Sequence, residues 1–183
     1  MFNRLFALII FIILIPVFIV VSLAIFLEDG FPIFFKQKRV GVNYTFFNIY
    51  KFRSMKKNTP NVATHLLTDT EQYLLKIGRN LRKFSLDELP NLINIIKGEM
   101  VFVGPRPALF NQDDLMALRI AAGVDKLKPG ITGWAQVNGR DEISIEEKVR
   151  LEKEYLDRRC FWFDVEILVR TFTSVLGSKG VKH

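Results

Sequence analysis

The chain has 183 residues, enough for one compact domain and a small appendage. Its formal net charge of +7 favours an anionic partner, such as acidic lipid, nucleic acid or a phosphorylated substrate. The single cysteine excludes an internal disulfide framework and a cysteine-based zinc site, and two histidines are too few for a metal cluster.

The first predicted element is an apolar segment over residues 5–27, which contains no charged side chain. It is longer than the ~7–15 apolar residues of a signal peptide and matches the ~20 residues that cross a bilayer as a helix. Pro16 lies at its centre and predicts a kink. A mild kink gives a bent spanning helix, which the physics alone favours, and a sharp kink gives a re-entrant helix. The basic stretch 36–39 predicts that the following domain lies in the cytoplasm.

Residues 31–183 have the composition of a basic globular domain, with 25 Lys and Arg against 17 Asp and Glu. Strand-like composition over 32–39 and 45–53, around a turn at 41–44, predicts a β-hairpin. A capping pattern at 68–71 predicts a helix to about Ile77 that stops at Gly78.

The rest of the domain is predicted to be mainly helical. The predicted elements are a short helix from about Asp87 to Lys97, an apolar stretch at 101–103, a helix over 110–122, an irregular Gly- and Pro-rich segment over 126–140, and a capped helix over 144–159. Residues 161–176 are apolar along one side, which suits either a core helix or an interfacial amphipathic helix at a membrane. The predicted class is α+β, mostly helical, with one small β-hairpin.

Asp87 and Glu88 are adjacent carboxylates at a predicted helix start. A structural explanation exists, because the helix dipole favours acids there and Ser85 with Glu88 fits a capping box. The same position also binds anions, and Arg82 lies just upstream. An ionised carboxylate can coordinate Mg²⁺, or attack phosphorus to form an acyl phosphate. Taken alone, the pair favours capping.

Three further segments offer phosphate contacts. In residues 105–107 two prolines flank Arg106, which suits a bidentate phosphate contact but also a solvated turn. The glycine-rich segment 128–140 allows close approach of backbone N–H groups to an anion. Lys51 and Arg53 at the end of a predicted strand add two cations.

Together these stretches resemble the bacterial sugar transferase family, the monotopic phosphoglycosyl transferases. The resemblance covers nearly the whole chain and is carried by YKFRSM at 50–55, SLDELPNLINIIKGEMVFVGPRP at 85–107 and KPGITGWAQVNGR at 128–140. It implies that Asp87, with Mg²⁺ bound, attacks the β-phosphorus of a UDP-sugar and releases UMP. Polyprenyl (undecaprenyl) phosphate then accepts the sugar phosphate, as the first membrane step of surface glycoconjugate assembly.

The resemblance also assigns site residues. Asp87 is the implied nucleophile and metal ligand, and Glu88 is the second member of the catalytic dyad. The predicted substrate-binding residues are Arg82, Arg106 and Arg140, which match the family's phosphate and nucleotide contacts, together with Lys51, Arg53 and Gln136.

The resemblance further implies that residues 1–30 form a re-entrant membrane helix broken at Pro16, where Ile15 replaces a serine frequent in the family. Residues 31–183 would form a catalytic domain on the cytoplasmic face of the bacterial inner membrane. The expected partners are a UDP-sugar, polyprenyl phosphate and the lipid bilayer, while the dispersed basic residues disfavour nucleic acid. A homodimer is left open. The alternative is a membrane-anchored basic protein that binds acidic lipid without catalysis.

Overall fold

The computed structural model describes residues 2–59, 70–139 and 143–176. In these ranges the helices are α1 (Phe2–Ile13), α2 (Ile15–Asp29), α3 (Thr70–Tyr73), α4 (Lys76–Lys83), α5 (Asn91–Lys97), α6 (Asp113–Ala121), α7 (Trp134–Asn138), α8 (Ile145–Arg158) and α9 (Phe161–Leu176). The strands are β1 (Phe34–Val40), β2 (Phe46–Phe52), β3 (Val101–Val103) and β4 (Gly130–Thr132). The mostly helical α+β class is confirmed.

The N-terminal segment is a bent pair of helices. Among the described helices, none alone is long and apolar enough to cross a membrane, whereas α1 and α2 together are, with a bend of 61° between them. The break falls at Leu14, and Pro16 lies in the first turn of α2 because its ring cannot pack against a preceding helical turn. The predicted kink is confirmed, and a bend of this size is compatible with a broken span or a re-entrant loop.

The bend and the segment that carries Asp87 share one hydrophobic cluster. Phe18 on α2 is buried there with Phe52 of the hairpin, and Leu14 packs against this cluster. Leu86 and Leu89, which flank the two carboxylates, pack against the same cluster. The burial of this apolar surface fixes the bent helix pair to the rest of the chain.

The predicted β-hairpin is confirmed, with β1 and β2 antiparallel from Phe34 opposite Phe52 to Val40 opposite Phe46. The fully buried Asn94 of α5 fixes this hairpin to the helix. Its Oδ1 accepts a hydrogen bond from the Tyr50 amide at 3.2 Å, and its Nδ2 donates to the Asn48 carbonyl at 2.7 Å. The Asn94 side chain thus makes the hydrogen bonds to the edge of β2 that a neighbouring strand would otherwise make. These bonds bring Lys51 beside the start of α5.

The prediction that a helix stops at Gly78 is wrong. Gly78 lies inside α4, and the two residues at the start of the predicted capping pattern lie outside the described residues. A Cβ atom at Gly78 would be 2.0 Å from the carbonyl oxygen of Ser54. The glycine therefore permits close packing of two backbones and does not end the helix.

The prediction that residues 126–140 are irregular is also wrong for most of this range. Val101 and Val103 of β3 pair in parallel with Gly130 and Thr132 of β4, and α7 begins two residues later. A Cβ atom at Gly133 would lie 2.2 Å from the carbonyl oxygen of Gly104. The glycines in this range therefore allow two short strands to meet closely.

Two C-terminal helices agree with prediction. Ser144 caps α8, because its Oγ accepts a hydrogen bond from the Glu147 amide at 3.2 Å. α9 has a buried side and an exposed apolar side, since Ile167 is fully buried while Trp162 and Phe172 are 76% and 65% exposed, and its place at a membrane interface stays a prediction. One side of α9 therefore belongs to the core, and another side presents apolar surface to the surroundings.

Candidate active site

Asp87 and Glu88 lie in a single 3-10 turn, Leu86–Glu88, between α4 and α5. Ser85 precedes this turn with a φ of 54°, a left-handed conformation that is uncommon outside glycine. The predicted capping box is wrong, because the hydrogen bond at this turn joins the Glu88 amide to the Ser85 carbonyl at 3.2 Å. The helix itself begins only at Asn91, so the carboxylates precede it.

Glu88 is held by two cations. Its Oε1 lies 2.5 Å from Lys51 Nζ and 3.2 Å from Arg106 Nη2. Burial raises the pKa of Glu88, but the attraction of Lys51 and Arg106 outweighs it and holds the pKa well below the ordinary value. Glu88 is therefore ionised across the physiological range.

Asp87 lies in a different electrostatic balance. Burial is the largest effect and raises the pKa of Asp87 to about 6, with a further increase from the charge of Glu88. Lys51, Arg82 and Arg106 lower this pKa but do not overcome burial. Asp87 is thus mostly ionised at pH 7 yet less strongly stabilised as an anion than its neighbour, which is the state expected of a reactive carboxylate.

Arg82 reaches the dyad from α4. Its Nε donates a hydrogen bond to Ser54 Oγ at 3.0 Å. Burial lowers the pKa of Arg82, and the nearby Asp87 carboxylate partly compensates. Three cations predicted from the sequence, Lys51, Arg82 and Arg106, therefore surround the dyad.

Sequence reasoning missed two residues at this place. A small cavity beside Glu88 is lined by Asn91 and Arg39 together with Lys51 and Arg106. Asn91 is 3% exposed, and its Oδ1 accepts no hydrogen bond within the described residues. Asn91 follows Glu88 by three residues, and this helical spacing could have indicated that the two side chains lie near each other. Arg39 lies at the site only because the hairpin brings it there, which no local pattern indicates.

Of the three remaining predicted residues, the two that the structure describes are not gathered at the dyad. Arg53 is buried, and its guanidinium donates to the carbonyls of Pro32 and Gly30 and pairs with the Asp29 carboxylate, so it joins the end of α2 to the hairpin. Gln136 lies in α7, with its amide oxygen close to Gly133. Arg140 lies outside the described residues. Their contacts with substrate stay predictions.

The donor atoms at the dyad suit a hard cation. Among the described residues, no three His, Cys, Asp or Glu side chains converge. Mg²⁺ is commonly held by one or two carboxylates together with substrate phosphates, so two adjacent carboxylates are a sufficient set. Because Glu88 Oε1 already contacts two cations, Asp87 is the more available ligand.

Comparison with known proteins gives one consistent family. The family described as bacterial sugar transferase matches residues 1–178. The chain is 45% identical over 157 residues to the uncharacterized sugar transferase EpsL of Bacillus subtilis, a match that covers 86% of this chain and 76% of that protein.

Two longer relatives carry names that state a reaction. One is the UDP-glucose:undecaprenyl-phosphate glucose-1-phosphate transferase of Escherichia coli, 37% identical over 85% of this chain. The other is the undecaprenyl-phosphate galactose phosphotransferase of Salmonella typhimurium, 37% identical over 84% of this chain. The matched region spans only 35% of each of these two proteins.

Proposed function

This chain belongs to the bacterial sugar transferase family and is therefore a transferase, and we propose that it moves a sugar 1-phosphate from a UDP-sugar to undecaprenyl phosphate. The names of the Escherichia coli and Salmonella relatives support this reaction class. The observation that carries the proposal is the pair of carboxylates with opposed pKa shifts, surrounded by Lys51, Arg82 and Arg106. The same site suits an anionic donor and an anionic acceptor in turn.

The reaction would proceed in two displacements. An oxygen of the Asp87 carboxylate forms a bond to the β-phosphorus, and the bond from this phosphorus to the bridging oxygen breaks, so that UMP leaves with that oxygen. An oxygen of the lipid phosphate then attacks the same phosphorus and displaces the Asp87 carboxylate. Each step exchanges one P–O bond for another and needs no external proton.

The cations lower the electrostatic cost of bringing anions together. Lys51 and Arg106 both contact one oxygen of Glu88, which holds the ammonium and guanidinium groups beside Asp87 before substrate binds. Glu88 therefore has an orienting role in this proposal, because it stays ionised and paired. Asp87 would hold Mg²⁺, and the bound ion would supply positive charge against the negative charge that develops on UMP.

The proposal places the domain on the cytoplasmic face of a bacterial membrane, with α1 and α2 as a re-entrant pair. The 61° bend and the exposed apolar side chains of both helices, among them Ile12 and Ile19, support an element that enters and leaves on one face. The basic stretch 36–39, which follows α2 closely, supports the cytoplasmic side. The step would begin the assembly of a surface glycoconjugate on its lipid carrier.

The test is UMP release from a panel of UDP-sugars by protein in lipid, with and without undecaprenyl phosphate. Asp87→Asn removes the attacking oxygen charge and is expected to lower turnover by at least about 10³-fold. Asp157→Asn, at an exposed acid on α8, is the matched control and should keep wild-type turnover. A labelled sugar phosphate should remain on wild-type protein but not on Asp87→Ala.

Two results would contradict the proposal. Absence of UMP release from every UDP-sugar tested would reject the donor class. Full turnover by Asp87→Asn would reject the covalent route, and binding of acidic lipid without turnover would favour the alternative of a basic membrane-binding protein.

A further inference from the structure

The three carbonyl groups of Pro105, Arg106 and Pro107 are each held by a separate donor. The Pro105 oxygen accepts from the Gly130 amide at 2.9 Å, and the Arg106 oxygen accepts from Arg119 Nη2 at 2.9 Å. The Pro107 oxygen accepts from Arg39 Nη1 at 3.0 Å. Both prolines lack an N–H group, so they can join backbone hydrogen bonds only through their carbonyl groups.

Arg119 belongs to a buried ion pair. Its Nε and Nη2 lie 2.8 and 2.5 Å from the two carboxylate oxygens of Glu152, and the side chains are 5% and 2% exposed. Taking two charges out of water costs free energy that the pair alone does not necessarily recover. The same guanidinium also donates a hydrogen bond to the Arg106 carbonyl. This third contact indicates that the ion pair has a role other than stabilising the fold.

α8, which carries Glu152, also contacts the chain just before residues 105–107. Tyr155 lies one helical turn after Glu152 on α8, and its hydroxyl is 3.2 Å from the Val103 carbonyl oxygen. α8 thus contacts the chain just before residues 105–107 through Tyr155, while Arg119 of α6, which is paired with Glu152 of α8, contacts the Arg106 carbonyl. The Arg106 guanidinium in turn lies with its Nη2 3.2 Å from Glu88.

We propose that Arg119 and Glu152 are positioning residues for Arg106. The pair fixes the Arg106 backbone so that its guanidinium is held at Glu88 and at the incoming phosphate. This inference rests on the proposed function, because it concerns the transfer that Arg106 would assist. Neither residue touches the dyad, so both act through Arg106.

The central experiment separates positioning from stability. The double variant Arg119→Met, Glu152→Leu replaces the buried pair by apolar side chains, which commonly preserves folding, but it removes the donor to the Arg106 carbonyl. We expect its thermal midpoint to stay at or above the wild-type value and its kcat/KM for the UDP-sugar to fall about 10- to 100-fold. The exposed pair on α8 provides the matched control, Lys153→Met, Asp157→Leu, which should keep wild-type kcat/KM.

A mutant cycle identifies the route of the effect. In an Arg106→Ala background the side chain to be positioned is gone, so the double replacement should lower kcat/KM by less than about 2-fold. An equal loss in both backgrounds would overturn the inference, because the pair would then act on the fold in general. Wild-type kcat/KM in the folded double variant would also overturn it.

Hydrogen exchange gives a readout that does not need activity. Loss of the carbonyl donor should speed amide exchange in a peptide covering residues 103–109 by about 10-fold, with exchange elsewhere unchanged. Unchanged exchange in this peptide would overturn the inference. If wild-type protein released no UMP, the proposed function would fail, while this measurement would still decide whether the pair fixes the turn.

Discussion

Asp87 and Glu88 are adjacent, yet their carboxyl groups have opposite pKa shifts. Glu88 makes direct contacts with Lys51 and Arg106, which offset its burial and lower its pKa. Asp87 interacts with the same cations but is dominated by burial, so its pKa rises to about 6. Two carboxylates with separated pKa values can take different roles, with one as a fixed anion and the other as a reactive group.

The stability of two single variants should therefore change in opposite directions. A raised pKa means that ionised Asp87 destabilises the fold, so Asp87→Asn should raise the free energy of unfolding by about 1–2 kcal/mol above pH 6. The gain should shrink as pH falls from 6 towards 4, because wild-type Asp87 is then protonated in the folded state. Thermal unfolding at pH 4.5 and pH 8 is the measurement.

Glu88→Gln is the paired comparison. The lowered pKa means that ionised Glu88 stabilises the fold above its ordinary pKa, so its replacement should destabilise by about 1–3 kcal/mol at pH 8. This loss should begin to diminish as pH falls below the ordinary glutamate pKa of 4.5, because the unfolded chain then binds a proton that folded Glu88 does not, and it should vanish only in strong acid. Equal destabilisation by both variants would contradict the electrostatic description of the dyad.

At this scale the sequence located the dyad and three of its cations, but not every side-chain direction. Lys51 and Arg53 are two residues apart and would lie on one face of a continuing strand. β2 ends at Phe52, so Arg53 leaves that face and pairs with the end of α2. Where a strand ends by one residue depends on tertiary contacts that no local pattern contains.

The packing of α4 against Ser54 depends on the absence of a side chain at Gly78. Gly78 and Arg82 lie one turn apart on α4, and both contact Ser54, the glycine through backbone packing and the arginine through a hydrogen bond. The close approach at Gly78 therefore sets the distance at which Arg82 reaches the dyad.

Gly78→Ala tests this packing through its sign. Alanine in place of glycine normally stabilises an exposed helix interior by about 0.5–1 kcal/mol. Here the added Cβ would meet a backbone oxygen at 2.0 Å, so we expect destabilisation by about 1–3 kcal/mol and weaker donor binding. Denaturant unfolding gives the first quantity, and Lys76→Ala at the start of the same helix is the control; a stabilised Gly78→Ala would contradict the described contact.

The elements missed from the sequence are the shortest ones. β3 and β4 have three residues each, too few for an alternating pattern to appear. Their pairing depends on close contact between Gly104 and Gly130, which is visible only in three dimensions. Longer elements with strong patterns, such as α8 with its Ser144 cap and the hairpin, were predicted closely.

Over the whole molecule, exposed apolar side chains come from both ends of the chain. The α1–α2 pair contributes the larger part, and α9 adds Phe161, Trp162 and Phe172. Phe6 of α1 stacks edge-on against Phe102 of β3, and Phe102 packs against the cluster that includes α9. The N-terminal segment and the last helix therefore contact the same part of the core.

We expect the exposed side of α9 to enter the headgroup region of a membrane. The variant Trp134→Phe leaves Trp162 as the one tryptophan, and its fluorescence should fall when the surrounding vesicles contain lipids brominated near the headgroup. Trp162→Phe keeps the partly buried Trp134, which should show little change. Quenching by lipids brominated near the headgroup should affect Trp162 alone, and no quenching would contradict the expectation.

The sequence predicts a division into an N-terminal membrane segment and a basic domain, because apolar length and charge are properties of composition, and the membrane role of the first part stays a prediction. It did not predict how the two parts attach. That attachment comes from a cluster to which Phe18, Phe52 and Leu81 contribute from three distant places in the chain. Only the folded chain brings these side chains together.

The shared cluster of the bend and the dyad segment has one more consequence. Since Leu14 packs against the same cluster as Leu86 and Leu89, the depth of α1 and α2 in a membrane would set the height of Asp87 above the hydrocarbon. An acceptor anchored in the same leaflet would arrive at that height by lateral diffusion. The rate at which the acceptor meets Asp87 would then depend on the number of acceptor molecules per unit area of membrane. Diluting the acceptor with inert lipid would therefore slow turnover, whereas diluting the sample with water would not.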